Sequence, residues 1–288
     1  MRRYTKLFLS ACLLAVLVTS AVAQQRRLRP GFNLFSKDQD VTLGKEAAAE
    51  IEKQYEVVND AALNAYLERV GRKLASRPEA DKYPYTFKLV NDPSINAFAL
   101  PGGPTYVNTG LITAADNEAQ LAGVMAHEIS HVALRHGTNQ ATKANLIQLP
   151  AALAQAAAGQ SMLGQIAKIG IGLGANSVLL SYSRSAERDA DLLGARMMSG
   201  AGYNPLEMPR FFQKLQGARG SNSRVLQFLS SHPDPGNRIK AVSDELNYLP
   251  RREYRADDRD FNSIKVRVGK IPAPKKKPGS ADDAKKLN

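Results

Sequence analysis

All four histidines of this chain fall in two short motifs. Three sit in the run His127-Glu128-Ile129-Ser130-His131-Val132-Ala133-Leu134-Arg135-His136, and the fourth is His232 in Ser231-His232-Pro233. On a helix, His127 and His131 are one turn apart, so both imidazoles leave the same face and can bind one metal ion. Glu128 lies one position round and can reach an activated water without being a ligand. Two neutral imidazoles, a carboxylate base and room for a third protein ligand make up the zinc-peptidase arrangement, whose chemistry is metal-assisted peptide hydrolysis.

His-Glu-x-x-His has only three fixed positions, and a solvated helix with two histidines one turn apart would satisfy it equally. Context favours the metal. Leu121, Val124, Met125, Ile129 and Val132 fall near helical spacing, with Asp116 or Thr113 placed to cap the helix start, so the segment predicts a partly buried wall. Downstream, Glu187 and Asp191 are again four apart on one helical face. Glu187 would complete a two-His, one-Glu zinc site with the fourth position open for water. Asp191 could accept the free N–H of a ligating histidine and fix its tautomer. The competing reading is a charge cluster with Arg184 and Arg188, in which pairs one turn apart contribute only tenths of a kcal/mol. The metzincin pattern is excluded, because Leu134 stands where its glycine should be and Gly137 where its third histidine should be. His136 lies about 140° round the helix from His131, so it reads as a structural histidine near a helix C-terminus.

The chain has room for one domain with appendages. Arg2, Arg3 and Lys6 precede the apolar run Leu7–Val18, and Ala21-Val22-Ala23 matches a small-x-small cleavage pattern. Residues 1–23 therefore read as a cleaved secretory signal peptide, which implies a periplasmic mature protein, with membrane association left open. Cys12, the only cysteine, sits in a stretch resembling a lipoprotein box, but the apolar run continues past it. Cleavage after Ala23 would remove it, excluding disulfides, thiolate ligands and a cysteine nucleophile from the mature chain. The formal charge of +12 falls to +9 once the leader goes. No nucleic-acid motif accompanies that charge, and export argues against such a partner. Basic residues concentrate at Arg26, Arg27 and Arg29 and between Arg251 and Lys286, so an anionic membrane surface is a candidate contact; solvated flexible ends account for them equally.

Residues 24–39 read as a linker, with helices over about 41–55 and 60–76. Strands are expected at Tyr85–Val90, Asn96–Leu100 and Thr105–Asn108, the last two joined by turn chemistry at Pro101-Gly102-Gly103-Pro104. After the histidine helix, residues 144–180 carry a single charge, Lys168. They read as a buried or lid-like helical hairpin in preference to a membrane-inserted one, because Pro150, several glycines and recurring glutamines interrupt them. Further helices are expected near 182–199, 205–216, 224–230 and 235–246. The peptidase domain is placed at 40–250, and 251–288 reads as a basic, partly disordered tail.

Several motifs in order resemble one family: Asn96-Ala-Phe-Ala-Leu-Pro-Gly-Gly103, Val107-Asn-Thr-Gly-Leu111, His127-Glu-Ile-Ser-His131, Ser185-Ala-Glu-Arg-Asp-Ala-Asp191 and Ser231-His-Pro-Asp-Pro-Gly-Asn-Arg238. Over roughly residues 40–245 the chain resembles the HtpX/BepA-like zinc metallopeptidases, relatives of the CAAX prenyl endopeptidase, and most of all their exported soluble members. The resemblance implies an α+β, zincin-like fold, mainly helical, with a small sheet whose edge strand lies beside one zinc ion. It implies His127, His131 and Glu187 as ligands and Glu128 as general base. His232 would sit over the metal, as a transition-state donor or as occupant of the open position in a latent state. Arg238 belongs to the same motif and, with Asp191, would support the ligands. Asn96, Ala97, Phe98 and Ala99 would pair with an extended substrate backbone. Neither the long membrane helices of integral members nor a tetratricopeptide module is evident. The expected activity is endoproteolysis of unfolded or misfolded exported and membrane proteins, a quality-control role. The alternative is a zinc-binding periplasmic chaperone or assembly factor whose protease site is latent.

Overall fold

The computed structural model describes residues 26–143, 182–218, 228, 232–233, 236–254 and 259–274. The expected signal peptide and the hairpin at 144–180 lie outside the described residues. So do the last fourteen residues of the tail and, Phe228 apart, the helix expected near 224–230.

The sheet has three strands: β1 (Thr86–Val90), β2 (Ala97–Ala99) and β3 (Pro104–Asn108). β3 is central, parallel to β1 and antiparallel to β2, which leaves β2 on an edge. The turn joining β2 to β3 uses Gly102 and Gly103 at φ 75° and 117°, a region that β-carbon-bearing residues avoid. Before the sheet come α1 (Lys37–Gln54) and α2 (Ala61–Ala75); after it come α3 (Thr109–Ala114) and α4 (Glu118–Ala133). The remaining described helices are α5 (Arg184–Gly200), α6 (Glu207–Gly217), α7 (Arg238–Leu246) and α8 (Arg259–Val268). No described helix is long and apolar enough to cross a membrane. The architecture is α+β and mainly helical, with its small sheet beside α4.

α4 carries the histidine pair and is the hub. Asn117 caps it, accepting from Gln120 N at 2.8 Å, and so takes the place expected of Asp116 or Thr113. Every residue of α4 except Ala119 is buried. It packs against α5 above all, and also against α6, α2 and β2. Burying side chains such as Val124 or Ile129 contributes about 1.5–3 kcal/mol each. Gly123 permits the approach of α6, since a β-carbon there would meet Met208 Cβ at 2.7 Å. The helix start is tied down by Glu118, which accepts from Tyr66 Oη at 2.8 Å, Tyr203 Oη at 2.7 Å and Arg69 at 3.1 Å.

Two boundaries differ from those read in the sequence. α1 begins at Lys37, four residues early, because Ser36 and Gln39 form a reciprocal capping box. The segment before it is anchored, with Asn33 bonded to Thr138 and Phe35 buried, so it is not a free linker. At the other end, α8 lies inside the stretch read as a tail. Phe261, Ile264 and Val268 are spaced one helical turn apart and join the main core, where α8 meets α2 and α3.

Candidate metal centre

α4 and α5 bring the expected groups together. Ser183 caps α5 by accepting from Ala186 N, which sets Glu187 in the first turn, facing the histidines of α4. One potential ligand atom from each of His127, His131, Glu187 and His232 lies within 4.8 Å of the others, and all four residues are buried. His127 Nε2 is 3.0 Å from His131 Nε2 and 3.3 Å from both Glu187 Oε2 and His232 Nδ1. His131 Nε2 is 3.5 Å from Glu187 Oε1. His232 Nδ1 is 3.2 Å from Glu187 Oε1, and its Nε2 is 3.3 Å from Glu128 Oε1.

The supporting shell is as specific. Asp191 Oδ1 is 3.0 Å from His127 Nδ1, the nitrogen pointing away from the cluster. Arg238 donates from Nε to Asp191 Oδ2 at 2.7 Å and from its Nη2 to Oδ1. Arg238 also stacks on Phe212, with its guanidinium carbon 3.8 Å from the ring centre. Phe212 stacks in turn on Phe228, and Phe228 on His232 at 4.7 Å. Tyr182 covers the opposite flank, stacked on His131 at 4.0 Å. On the sheet side, Ala99 N of β2 donates to Glu128 Oε2 at 3.2 Å. Asn96, Ala97, Phe98 and Ala99 therefore lie at or in the edge strand next to Glu128.

The electrostatics favour positive charge at the focus. Burial raises the Glu187 carboxyl, but His232 and His127 outweigh it and hold the group well below the carboxylate range. Burial lowers His127, yet Glu187 and Asp191 push it up to about 9. Burial drives His131 well below the usual imidazole value, so it stays neutral. Asp191 is held low against burial chiefly by Arg238. Glu128 goes the other way. Burial raises it, so its carboxylate is the more basic of the two. Glu187 Oε2 and Glu128 Oε1 are buried without a hydrogen-bond partner among the described residues. Buried carboxylate oxygens left over beside three imidazoles suit a divalent cation with N and O ligands.

His136 is placed differently from the sequence reading. α4 ends at Ala133 with Leu134 as its cap, and Arg135 adopts a positive φ of 55°. The chain turns there, and the helical residues 136–143 bring His136 Nδ1 to 3.0 Å from His131 Nδ1. Burial lowers the His136 imidazole to about 4. Tyr182, Phe212 and Phe228 also escaped the sequence reading. Tyr182 had one usable signal, its position just before the Ser183 cap. Nothing marks the two phenylalanines apart from ordinary core.

A helix bearing His-Glu-x-x-His, an edge strand beside its glutamate and a carboxylate from a following helix define the zincin class. The signature of peptidase family M48 matches residues 61–246, and the chain belongs to that family of zinc metallopeptidases. It is 31% identical over 241 residues to the beta-barrel assembly-enhancing protease of Escherichia coli, across 80% of this chain and 48% of that protein. A putative beta-barrel assembly-enhancing protease of Vibrio cholerae is 32% identical over 239 residues, 80% of this chain and 49% of its own. The mitochondrial metalloendopeptidase OMA1 of Schizosaccharomyces pombe is 27% identical over 238 residues, covering 81% and 67%. The chain thus spans about half the length of the bacterial relatives.

Proposed function

We propose that this protein is a zinc-dependent endopeptidase that cleaves unfolded or misfolded exported and membrane proteins in the bacterial envelope. The observation that carries the proposal is the convergence of His127, His131, Glu187 and His232 within 4.8 Å in a buried site, with Glu128 alongside. His127, His131 and Glu187 hold the metal. When bound, zinc supplies Lewis-acid polarisation of a peptide carbonyl and acidifies a water. Glu128 takes the proton of that water and passes it to the leaving amine; burial, by raising its basicity, suits it to that work. Asp191, locked by Arg238, accepts from His127 Nδ1 and keeps Nε2 free for the metal. The edge of β2 takes the substrate as an added strand. Backbone pairing does not read side chains, which suits unfolded segments of any sequence.

In the second reading His232 is a fourth ligand and the enzyme rests in a latent form. Its Nδ1 lies 3.3 Å from His127 Nε2 and 3.2 Å from Glu187 Oε1, so it could join the ligand set. That favours latency over a role as oxyanion donor, and it gives the second reading its support: a chaperone-like factor that cleaves only when His232 leaves. Export through the amino-terminal leader and contact of the basic ends with anionic membrane belong to the same proposal. The relatives named for β-barrel assembly are consistent with envelope work.

The test pairs metal content with cleavage of an unfolded substrate such as reduced casein. One zinc per chain should be found, and Glu187→Ala should lose it. Glu128→Gln should keep zinc and lose cleavage by about 10²–10⁴. Undiminished cleavage in Glu128→Gln would remove the catalytic assignment.

A further inference from the structure

Two imidazoles of α4 face the focus of the site, and their outward nitrogens are treated unequally. His127 Nδ1 meets the Asp191 carboxylate at 3.0 Å. His131 Nδ1 meets another imidazole, that of His136, also at 3.0 Å, with the two rings at 72°. Among the described residues this is the one hydrogen-bond partner of that nitrogen. We infer that His136 is a positioning residue for the metal centre, accepting the Nδ1 proton of His131 and so leaving His131 Nε2 free to bind the ion. The inference rests on the zinc reading above and goes beyond it, since it gives a role to a histidine outside the ligand motif.

The geometry carries the argument in three steps. First, His131 Nε2 points inward, 3.0 Å from His127 Nε2 and 3.5 Å from Glu187 Oε1. A histidine that ligates through Nε2 must hold its proton on Nδ1, and the atom in reach of that proton is His136 Nδ1. His136 then carries its own proton on Nε2. Second, the contact is built by the chain. On a continuous helix His136 would face about 140° away from His131. The positive φ of Arg135 turns it back. That conformation is disfavoured for a side chain with a β-carbon, and it is held by specific bonds. Arg135 donates from Nε to the buried Asp40 at 2.6 Å and from Nη2 to Phe35 O at 2.5 Å, while Asn139 N bonds Arg135 O. Third, His131 cannot tilt away, because Tyr182 stacks on its ring at 4.0 Å. A neutral imidazole is a weaker acceptor than a carboxylate. Asp191 therefore supports His127 more firmly than His136 supports His131.

The experiment compares zinc affinity, by competition with a chromophoric chelator, in the full chain and in His136→Leu, His136→Gln and Glu187→Ala. Melting of the zinc-free proteins is followed in parallel. Loss of an outer hydrogen-bond partner typically weakens metal binding about 10–100-fold. His136→Leu should show that loss, and His136→Gln, whose amide oxygen can accept the same proton, should recover most of it. Parent-like affinity in His136→Leu, or equal loss in both variants, would overturn the inference. A measurement on the unmutated, zinc-loaded chain covers the case of a variant that does not fold: long-range ¹⁵N–¹H spectra should find His131 protonated at Nδ1, and protonation at Nε2 would overturn the inference without any variant. If Glu187→Ala bound zinc as tightly as the parent, the zinc reading itself would fall, and this inference with it. If only the His136 arms fail, the zinc reading stands.

Discussion

Asp191→Asn isolates the supporting shell with one atom changed. The carboxylate accepts on both oxygens, from His127 Nδ1 at 3.0 Å and from Arg238 Nε at 2.7 Å, with Arg238 Nη2 adding a second bond to Oδ1. An asparagine offers one acceptor oxygen and one NH₂. With its oxygen towards His127, the NH₂ faces the donors of Arg238, a guanidinium only 6% exposed that has lost its counter-charge. With its NH₂ towards His127, that ring must accept at Nδ1 and move its proton to Nε2. Nε2 is the atom 3.0 Å from His131 and 3.3 Å from His232, so the metal loses a ligand. The first placement acts on stability. Breaking a buried ion pair from one side costs about 3–5 kcal/mol. The second acts on zinc affinity, by about 10–100-fold, or about 1.4–2.8 kcal/mol. Because both placements are poor, the variant should show a lower melting temperature in the zinc-free form and weaker zinc binding in chelator competition. Thermal melts with and without zinc separate the two contributions. A variant that melted with the parent and bound zinc equally well would refute the assignment of Asp191 and Arg238 as the frame of His127.

Three further outcomes follow from the same contacts. His232→Ala should raise cleavage of unfolded casein by about tenfold or more, equivalent to a closed form favoured by about 1.4 kcal/mol; a fall in cleavage would make His232 a catalytic donor instead. Glu118→Gln should destabilise the fold by about 2–3 kcal/mol near neutral pH, since the buried carboxylate accepts from two tyrosines and an arginine, with the half-exposed Arg69 contributing least. Burial raises Glu118, but those three donors outweigh it and hold its folded carboxyl below the ordinary value. Its contribution is therefore full above the unfolded carboxylate range and fades as pH falls through the lower folded value. Melts of parent and variant should converge on acidification, and a constant gap would contradict this. Removing zinc with a chelator should lower the melting temperature by roughly 5–10 °C relative to protein held at a hundredfold excess over its dissociation constant, where binding adds about 2.7 kcal/mol; an unshifted melt would deny a folded-state metal site.

The placement of the candidate ligands was legible because they sit at fixed helical spacing. His127 with His131, and Glu187 with Asp191, are four residues apart, and a helix turns that spacing directly into shared faces. The three strands were legible from alternation and from Gly102-Gly103 between the last two. What was not legible depends on long-range partners. A positive φ at Arg135 is unreadable locally, because it is stabilised by Asp40, ninety-five residues earlier. The place of His136 follows from that turn and was hidden with it. The stacking of Phe228 on His232 is likewise tertiary. Two misses had local signals. Ser36 and Gln39 spelled a capping box, and Phe261, Ile264 and Val268 kept a helical period amid charge that drew the reading towards a tail.

The placing of Arg238 has a consequence for how the site opens. In the proposed latent form His232 is a ligand only six residues before Arg238, which is pinned to Asp191. Six residues span at most about 20 Å when fully extended. A histidine that swings out therefore stays at an effective concentration in the millimolar range. It returns faster than dilute free ligands can take its place, so dilution and weak competitors leave the site shut. On that proposal, what opens the site is a polypeptide or surface that binds His232 and holds it off while Asp191 and Arg238 keep the rest of the site assembled.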